Sequence, residues 1–410
     1  MSYHLDALET RSSEERATAL ARDLPRLIAH AKKNSAHYQN ILADIDAHSI
    51  SDAQALATLP ITRKSDLLQE TGSKLRLADM VAKPLAQSDL IFQSPGPIYE
   101  IGMRNGDWWR FGRALAALGI GKGDIVQNCF SYHFTPAGMM FDSAAKAVGA
   151  VVVPAGGGQT ELQASAMSQL GVTAYAGTPD YLKTILEKAD ELGLDCSSLR
   201  FAIVSAGPLF PALRDYYEGR GIRCRQTYGT ADVGHIAYEA DAIDGLILDE
   251  GVFVEIVRPG SGLPVREGEI GEVVVTCFND DMPMIRFATG DLSAFMSGES
   301  GCGRTNRRIV GWRGRADQAA KVKGMFIRPE QVAVLTERFP EIERARVTVS
   351  HDGSNDQMLV QIETENKDPS SYEEAVRDIM KLRATIEIVA PDNLPNDGKV
   401  IDDIREIGLS

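Results

Sequence analysis

The sequence predicts an α/β protein in two parts. A large N-terminal region has parallel sheet flanked by helices plus a small antiparallel β patch; a small C-terminal region is α+β. Three observations predict this. Between residues 106 and 207, helical segments alternate with short apolar strands through glycine-bearing loops, the pattern of a parallel sheet covered on both faces. Near residue 245 the helical period disappears. After about residue 318, helix and strand mix again.

The elements follow in order. Residues 14–46 carry Ala17, Leu20, Leu24, Leu27, Ile28 and Ala31 at helical spacing, and Pro25 is expected to split this stretch into two helices. "GDWWRFGRALAALGIGKGDIV" reads as helix, glycine stop and strand. "FDSAAKAVGAVVVPAGGG" and "ELQASAMSQLGVTAYAGTP" repeat that pattern. "DYLKTILEKADELGL" is a helix and "LRFAIVSAG" a strand entering a loop. "GLILDEGVFVEIVRPGSGLPVREGEIGEVVVTCF" has short strands and turn residues, the mark of antiparallel pairing. "RARVTVSHDGSNDQMLVQIET" reads as a hairpin around "DGSND", and "SYEEAVRDIMKLRATIEIV" as a helix leading into a strand. The boundary falls near "GRADQ", giving domains 1–316 and 317–410.

Charge and cysteine usage exclude several classes. A formal net charge of −14 argues against general nucleic-acid binding, since phosphates repel such a protein. Cys129, Cys196, Cys224, Cys277 and Cys302 are scattered, with no C-x-x-C pair. A reducing cytoplasm is the expected location. The first residues, "MSYHLDALETRSSEERA", are polar and unlike a secretory signal. No apolar run approaches the roughly 18 residues that span a bilayer, so no membrane partner is expected.

Four stretches invite a chemical reading. In "YGTADVG", Tyr228, Gly229, Thr230 and Asp232 place an aromatic, a glycine, a hydroxyl and a carboxylate within five residues. They suit a base and a cation, or a turn with a capping aspartate. In "MPMIRFATGDLSAF", Asp291 follows Gly290; it either accepts two ribose hydroxyls or caps a turn. "GRADQAAKVKGMFIRPEQV" places Arg315 and Asp317 at the boundary, as a solvated linker or as a hinge beside a polyanion. "LPNDGKVIDD" puts Lys399 in an Asp-Gly turn, as surface or as a mobile cation for developing negative charge.

The order of these stretches resembles the phenylacetate–CoA ligase branch of the adenylate-forming (acyl-CoA synthetase/AMP-binding) superfamily. "LPRLIAHAKKNSAHYQ", "LATLPITRKSDLLQE", "GGGQTELQ", "GTPDYL", "CGRTNRRIVGWRGRAD" and "LPNDGKVIDDI" carry the resemblance. It implies a large adenylate-forming domain and a small mobile C-terminal lid, joined at Asp317. It implies that a carboxylic acid reacts with ATP, aided by Mg2+, and that the acyl group passes from AMP to coenzyme A. An amine or carrier thiol as acceptor, or a non-catalytic binding role, remains open. The resemblance also implies a homodimer.

Residue roles carried over by the resemblance are as follows. Tyr228 stacks on adenine, with Gly229 and Thr230 beside it, and Ala206 and Pro208 of "SAGP" line its pocket. Asp291 binds the ribose, with Arg315 nearby. Lys399 bridges the carboxylate and the α-phosphate. Asp232 stands where the family has a metal-proximal glutamate, one methylene longer. "NCFSYHFTPAGMM" resembles the acyl-pocket stretch, so Tyr132, His133 and Phe134 are candidates for an aromatic lining suited to an aryl or arylacetic acid, or for plain packing at a helix start. His235 is read as structural. "HIAYEADAIDG" has one histidine and no cysteine, so no structural zinc is expected.

The phosphate loop departs from the family. In "QSPGPIYE", Ser94 and Gly96 survive, Pro97 and Ile98 replace hydroxyl residues, and Glu100 falls near the family's lysine. An uncompensated carboxylate about 4 Å from a phosphate charge, at an effective dielectric of about 20, costs about 4 kcal/mol per charge pair. That would weaken triphosphate binding roughly a thousandfold. Adenine, ribose, hinge and lysine positions all remain, so an active ligase with an altered loop is the expectation.

Overall fold

The computed structural model describes residues 4–64, 77–93, 99–316, 318–322, 325–351 and 356–405. The chain forms two compact units. The first comprises Met1–Val254, Val275–Phe287 and Met296–Gly311; the second comprises Glu255–Val274, Ala288–Phe295 and Trp312–Ser410.

The first unit is built on a sheet that, among the described residues, has nine strands. Their order is Val151–Pro154, Ile125–Asn128, Ala174–Gly177, Phe201–Val204, Arg223–Thr230, Gly234–Glu239, Leu246–Leu248, Arg308–Ile309 and Phe295–Met296. The first five are mutually parallel. Antiparallel pairing begins at Gly234–Glu239 and continues through Leu246–Leu248 to Arg308–Ile309. Of the stretch expected to be antiparallel, only Leu246–Leu248 joins this sheet; Val252–Val257 and Gly271–Cys277 lie in a separate four-stranded sheet.

Side chains alternate across the parallel strands, and each face has its own core. Ala174, Ala176, Phe201 and Ile203 pack with Leu115, Phe141 and Ala144 from the helices Gly112–Leu118 and Ala137–Ala147. Tyr175, Ala202 and Val204 pack with Met167, Leu182, Ile185 and Tyr217 from helices on the other face. From Ile125–Asn128 the chain passes to the edge strand Val151–Pro154, then returns to the opposite side at Ala174–Gly177. Strand order thus reverses beside Ile125–Asn128, and ligands of such sheets bind outside the carboxyl ends at this point.

The N-terminal stretch differs from expectation. Ser13–Asn34 is one helix with Pro25 inside it, not two helices separated there. Its start is fixed by Ser12, whose hydroxyl accepts from Glu15 N at 3.1 Å, while Ser12 N donates to the Glu15 carboxylate at 2.6 Å. Leu24, Leu27, Ile28 and Ala31 are fully buried on both sides of the proline. Burial of the three large side chains contributes roughly 2 kcal/mol each, which exceeds the roughly 3 kcal/mol cost of an interior proline.

The second unit has a four-stranded sheet in the order Thr385–Val389, Asp356–Glu363, Arg344–His351, Ile401–Asp403. The central pair is the expected hairpin, in register from Arg344 opposite Glu363 to His351 opposite Asp356. Both outer strands are parallel to their neighbours. Helices Pro329–Arg338 and Ser370–Met380 cover one core with Val347, Val349, Val360 and Ile362.

Candidate active site

In the first unit the sequence-predicted residues gather at the carboxyl edge of the parallel strands. Backbone bonds hold this edge: Cys129 N donates to Ala176 O at 2.7 Å, and Ser205 N to Gly177 O at 3.2 Å. The Ser205 hydroxyl donates to Thr227 O at 2.9 Å, joining the "SAGP" loop to the strand that carries Tyr228. Ala206 is exposed with φ of 62°, and Pro208 is exposed beside it. Tyr228 is half-buried opposite Ala237, and the ladder shifts register immediately after it, at Gly229. A Cβ at Gly229 would lie 2.6 Å from Gly234 O and 2.9 Å from Phe111 Cζ, so no larger residue fits. Thr230 Oγ1 accepts from Val233 N at 3.2 Å and closes the turn that holds Asp232.

Asp232 is not a lone carboxylate. Lys64 Nζ lies 3.1 Å from its Oδ1 and 3.3 Å from its Oδ2. The same ammonium lies 4.0 Å from Glu100 Oε1. The side chains of Asp232 and Glu100 are 8% and 1% exposed, against 33% for Lys64. Glu100 sits in the hairpin strand Tyr99–Gly102, opposite Phe92 of Leu90–Gln93. The carboxylate that stands near the family's loop lysine is thus countered by a lysine from another segment. Sequence reading missed Lys64, which lies 168 positions from Asp232; its only signal was its place in "LATLPITRKSDLLQE".

The acyl-pocket candidates follow Ile125–Asn128, beside the reversal in strand order. Tyr132 is half-buried, accepting from Asn128 Nδ2 at 2.8 Å and donating to Asp142 Oδ1 at 3.4 Å. Burial, together with the neighbouring Asp142 carboxylate, pushes the Tyr132 phenol well above its usual range. His133 and Phe134 are exposed, with ring centroids 4.8 Å apart at an edge-to-face angle. His235 is fully buried, its Nδ1 3.4 Å from Asp249 Oδ2. Burial alone would raise the Asp249 carboxyl. His235, Arg110 and Arg113 overcome that and hold it well below the usual range. This cluster anchors the strand that follows the tyrosine turn.

In the second unit, Asp291 is 13% exposed on its side chain and meets Arg315 Nη1 at 3.1 Å. The Trp312 indole N–H also donates to Asp291 Oδ1, at 3.1 Å. Asp291 and Arg315 face each other across an antiparallel bridge, flanked by Leu292 N to Gly314 O at 2.9 Å. The guanidinium and the indole both hold this carboxylate.

Lys399 follows Gly398, whose φ of 71° and 2.6 Å Cβ approach to Ile270 Cγ2 demand glycine. Lys399 N donates to Asp397 Oδ1 at 3.0 Å, and its Nζ lies 2.7 Å from Asp402 Oδ1. Arg346 reaches both Asp397 and Asp402. Burial would raise the Asp402 carboxyl, but hydrogen bonds from Lys399 and Arg346 hold it below its ordinary value. The Lys399 side chain is 46% exposed. Arg313, Arg315, Gln318, Lys399 and Asp402 line a cavity of 280 Å³. The second unit therefore brings Arg315 and Lys399 to one cavity, although 84 positions separate them in sequence (399 − 315).

Ser94 and Gly96 of the phosphate loop and Asp317 of the proposed hinge lie outside the described residues. Among the described residues, no group of three or more His, Cys, Asp or Glu side chains is placed to hold a metal ion. None of the described helices is long and apolar enough to cross a membrane.

Comparison with known proteins agrees with this geometry. Residues 121–277 match the AMP-binding enzyme family. The phenylacetate-coenzyme A ligase of Thermus thermophilus is 27% identical over 373 residues, covering 87% of this chain and 83% of that one. The phenylacetate-coenzyme A ligase of Escherichia coli is 29% identical over 378 residues, covering 88% and 85%. A solved structure of 2-hydroxyisobutyryl-CoA ligase with 2-HIB-AMP superposes at a TM-score of 0.71 and 20% identity, over 97% of this chain and 91% of that one. At that identity the likeness speaks for the fold. The chain is thus similar to AMP-binding enzymes over residues 121–277 and to phenylacetate-coenzyme A ligases over most of its length. Among such enzymes the chain resembles the phenylacetate–CoA ligase branch.

Proposed function

We propose that the chain activates an aryl or arylacetic acid with ATP and transfers the acyl group to coenzyme A. A carboxylate oxygen of the acid attacks the α-phosphorus and pyrophosphate leaves. The coenzyme A sulfur then attacks the acyl carbon and AMP leaves. Tyr228, Gly229, Thr230, Ala206 and Pro208 take the adenine, and Asp291 with Arg315 takes the ribose hydroxyls. Lys399 offsets the repulsion between the two approaching anions. Its exposure and its single-sided pairing with Asp402 support that role, since the ammonium exchanges one carboxylate for another without crossing a packed core.

Asp232 would hold a magnesium ion in exchange for its pairing with Lys64, since magnesium binds through one or two carboxylates plus substrate phosphates and waters. When bound, that ion supplies charge neutralisation at the phosphates. Ser94 and Gly96 remain the loop's contribution, with Lys64 supplying the positive charge beside Glu100. The proposal includes a domain 317–410 turning about Asp317, and a cytoplasmic homodimer.

The aryl preference draws on the names of the curated relatives and on Tyr132, His133 and Phe134 at the point where strand order reverses. The observation that carries the reading is the gathering of Ala206, Pro208, Tyr228, Gly229 and Thr230 at the sheet's carboxyl edge. Incubation with ATP, magnesium, coenzyme A and a panel of aryl, arylacetic and short aliphatic acids tests it by mass spectrometry. An aryl or arylacetyl thioester is the expected product. Acyl-adenylate without thioester would point to a different acceptor, and thioesters confined to aliphatic acids would remove the aryl preference.

A further inference from the structure

We propose that Gln318 is a positioning residue for Lys399, fixing the lysine turn to the backbone of Arg315. This rests on the role given to Lys399 above. Gln318 makes four hydrogen bonds with one carboxamide. Its Oε1 accepts from Val400 N at 2.7 Å and Ile401 N at 3.1 Å. Its Nε2 donates to Gly398 O at 3.2 Å and to Arg315 O at 3.2 Å. A glutamine side chain has two acceptor sites and two donors, so its capacity is fully used. The orientation is unambiguous. The flipped amide would set N–H against two N–H groups and oxygen against two carbonyls.

The four partners define what the residue does. Gly398, Val400 and Ile401 bracket Lys399 on both sides, while Arg315 is the residue assigned to the ribose. One side chain thus sets the spacing between the backbone of the ribose-side arginine and that of the bridging lysine. The rest of the turn is held differently. Asp397 accepts from Lys399 N and pairs with Arg346, and Ile401 is in parallel register with Val347. Those contacts tie the turn to the strand Arg344–His351. The tie to the Arg315 backbone runs through the Gln318 carboxamide.

Two measurements on the full chain test this. The first is amide hydrogen exchange followed by mass spectrometry. Gln318→Ala is expected to speed exchange across residues 398–403 about tenfold, leaving the strand Arg344–His351 protected as before. Unchanged protection at 398–403 overturns the proposal whether or not the chain is active. The second is acid-dependent ATP–pyrophosphate exchange. Gln318→Ala is expected to lower kcat about tenfold with KM for ATP within about twofold. Gln318→Asn keeps the carboxamide on an arm one methylene shorter and is expected to retain intermediate kcat, and it serves if the alanine variant fails to fold. An unaltered kcat in both variants overturns the proposal, as does a loss that tracks only a fall in Tm. Lys399→Ala is run alongside. If that variant exchanges normally, the role of Lys399 fails, while the hydrogen-exchange result still decides the Gln318 link.

Discussion

Lys64 and Lys399 are the same residue in opposite surroundings. Lys64 stands between two nearly buried carboxylates, Asp232 and Glu100. Lys399 stands on a glycine turn, half in solvent, against Asp402. The first charge is bound into the protein, and its loss would strand two anions in a low-dielectric region. The second is held by a contact that water and substrate anions can replace. The difference separates a lysine locked between buried carboxylates from one whose ammonium is accessible to an incoming anion.

The largest expected effect is on chemistry. Lys399→Ala should reduce acid-dependent pyrophosphate exchange about 100-fold or more, the usual consequence of losing one donor to developing charge. Its Tm should stay within about 2 °C, because a half-exposed ion pair contributes little to stability.

Lys64→Ala should show the reverse weighting. Breaking a pair with buried carboxylates costs roughly 1–3 kcal/mol here, after discounting for the lysine's partial exposure. Chemical denaturation measures it. Adding Glu100→Gln should restore more than half of the lost stability. Absence of that recovery would mean that the 4.0 Å approach of Lys64 to Glu100 carries no weight.

Asp291→Ala should weaken AMP binding about tenfold or more, read by calorimetry, since the proposed role gives this carboxylate charge-assisted contacts to the ribose. Asp291→Asn should lie between, because the amide oxygen still accepts from Trp312 Nε1.

The smallest effect concerns pH. The Asp402 and Asp249 carboxyls both lie below their ordinary values. A lowered folded value means the stabilisation is fully present above the unfolded carboxyl value, about 4, and is lost as pH falls through the folded value. Tm should therefore show no pH dependence from either group between about pH 5 and 8, and a decline below about pH 4. Asp402→Asn should remove part of the decline in the second unit. A Tm transition near neutral pH assigned to either residue would contradict this.

The order of elements was legible in the sequence because helix and strand leave different apolar periods. The parallel region, the hairpin Arg344–Glu363 and the helix-to-strand step at 370–389 appear as expected. Pro25 was misleading because local chain chemistry argued for a break, while four fully buried neighbours hold the helix together. The compact units were also hidden. Residues 255–274 and 288–295 belong with 312–410, and no composition shift marks that interleaving. The candidate site was legible as motifs, since Tyr228, Asp291 and Lys399 each sit in a stretch with its own pattern. Lys64 and Gln318 were not. Each acts through partners distant in sequence, Asp232 in one case and the 398–401 backbone in the other. A long-range contact between common residue types leaves no local signature.

The central claim is adenylation of a carboxylic acid by this chain with Lys399 as the bridging cation. ATP–pyrophosphate exchange tests it most directly, run with magnesium, without coenzyme A, over aryl, arylacetic and short aliphatic acids. The expected result is exchange that depends on an aryl or arylacetic acid and disappears in Lys399→Ala. No exchange with any acid, from folded protein that still binds AMP, would contradict it and leave a nucleotide-binding protein without the ligase reaction.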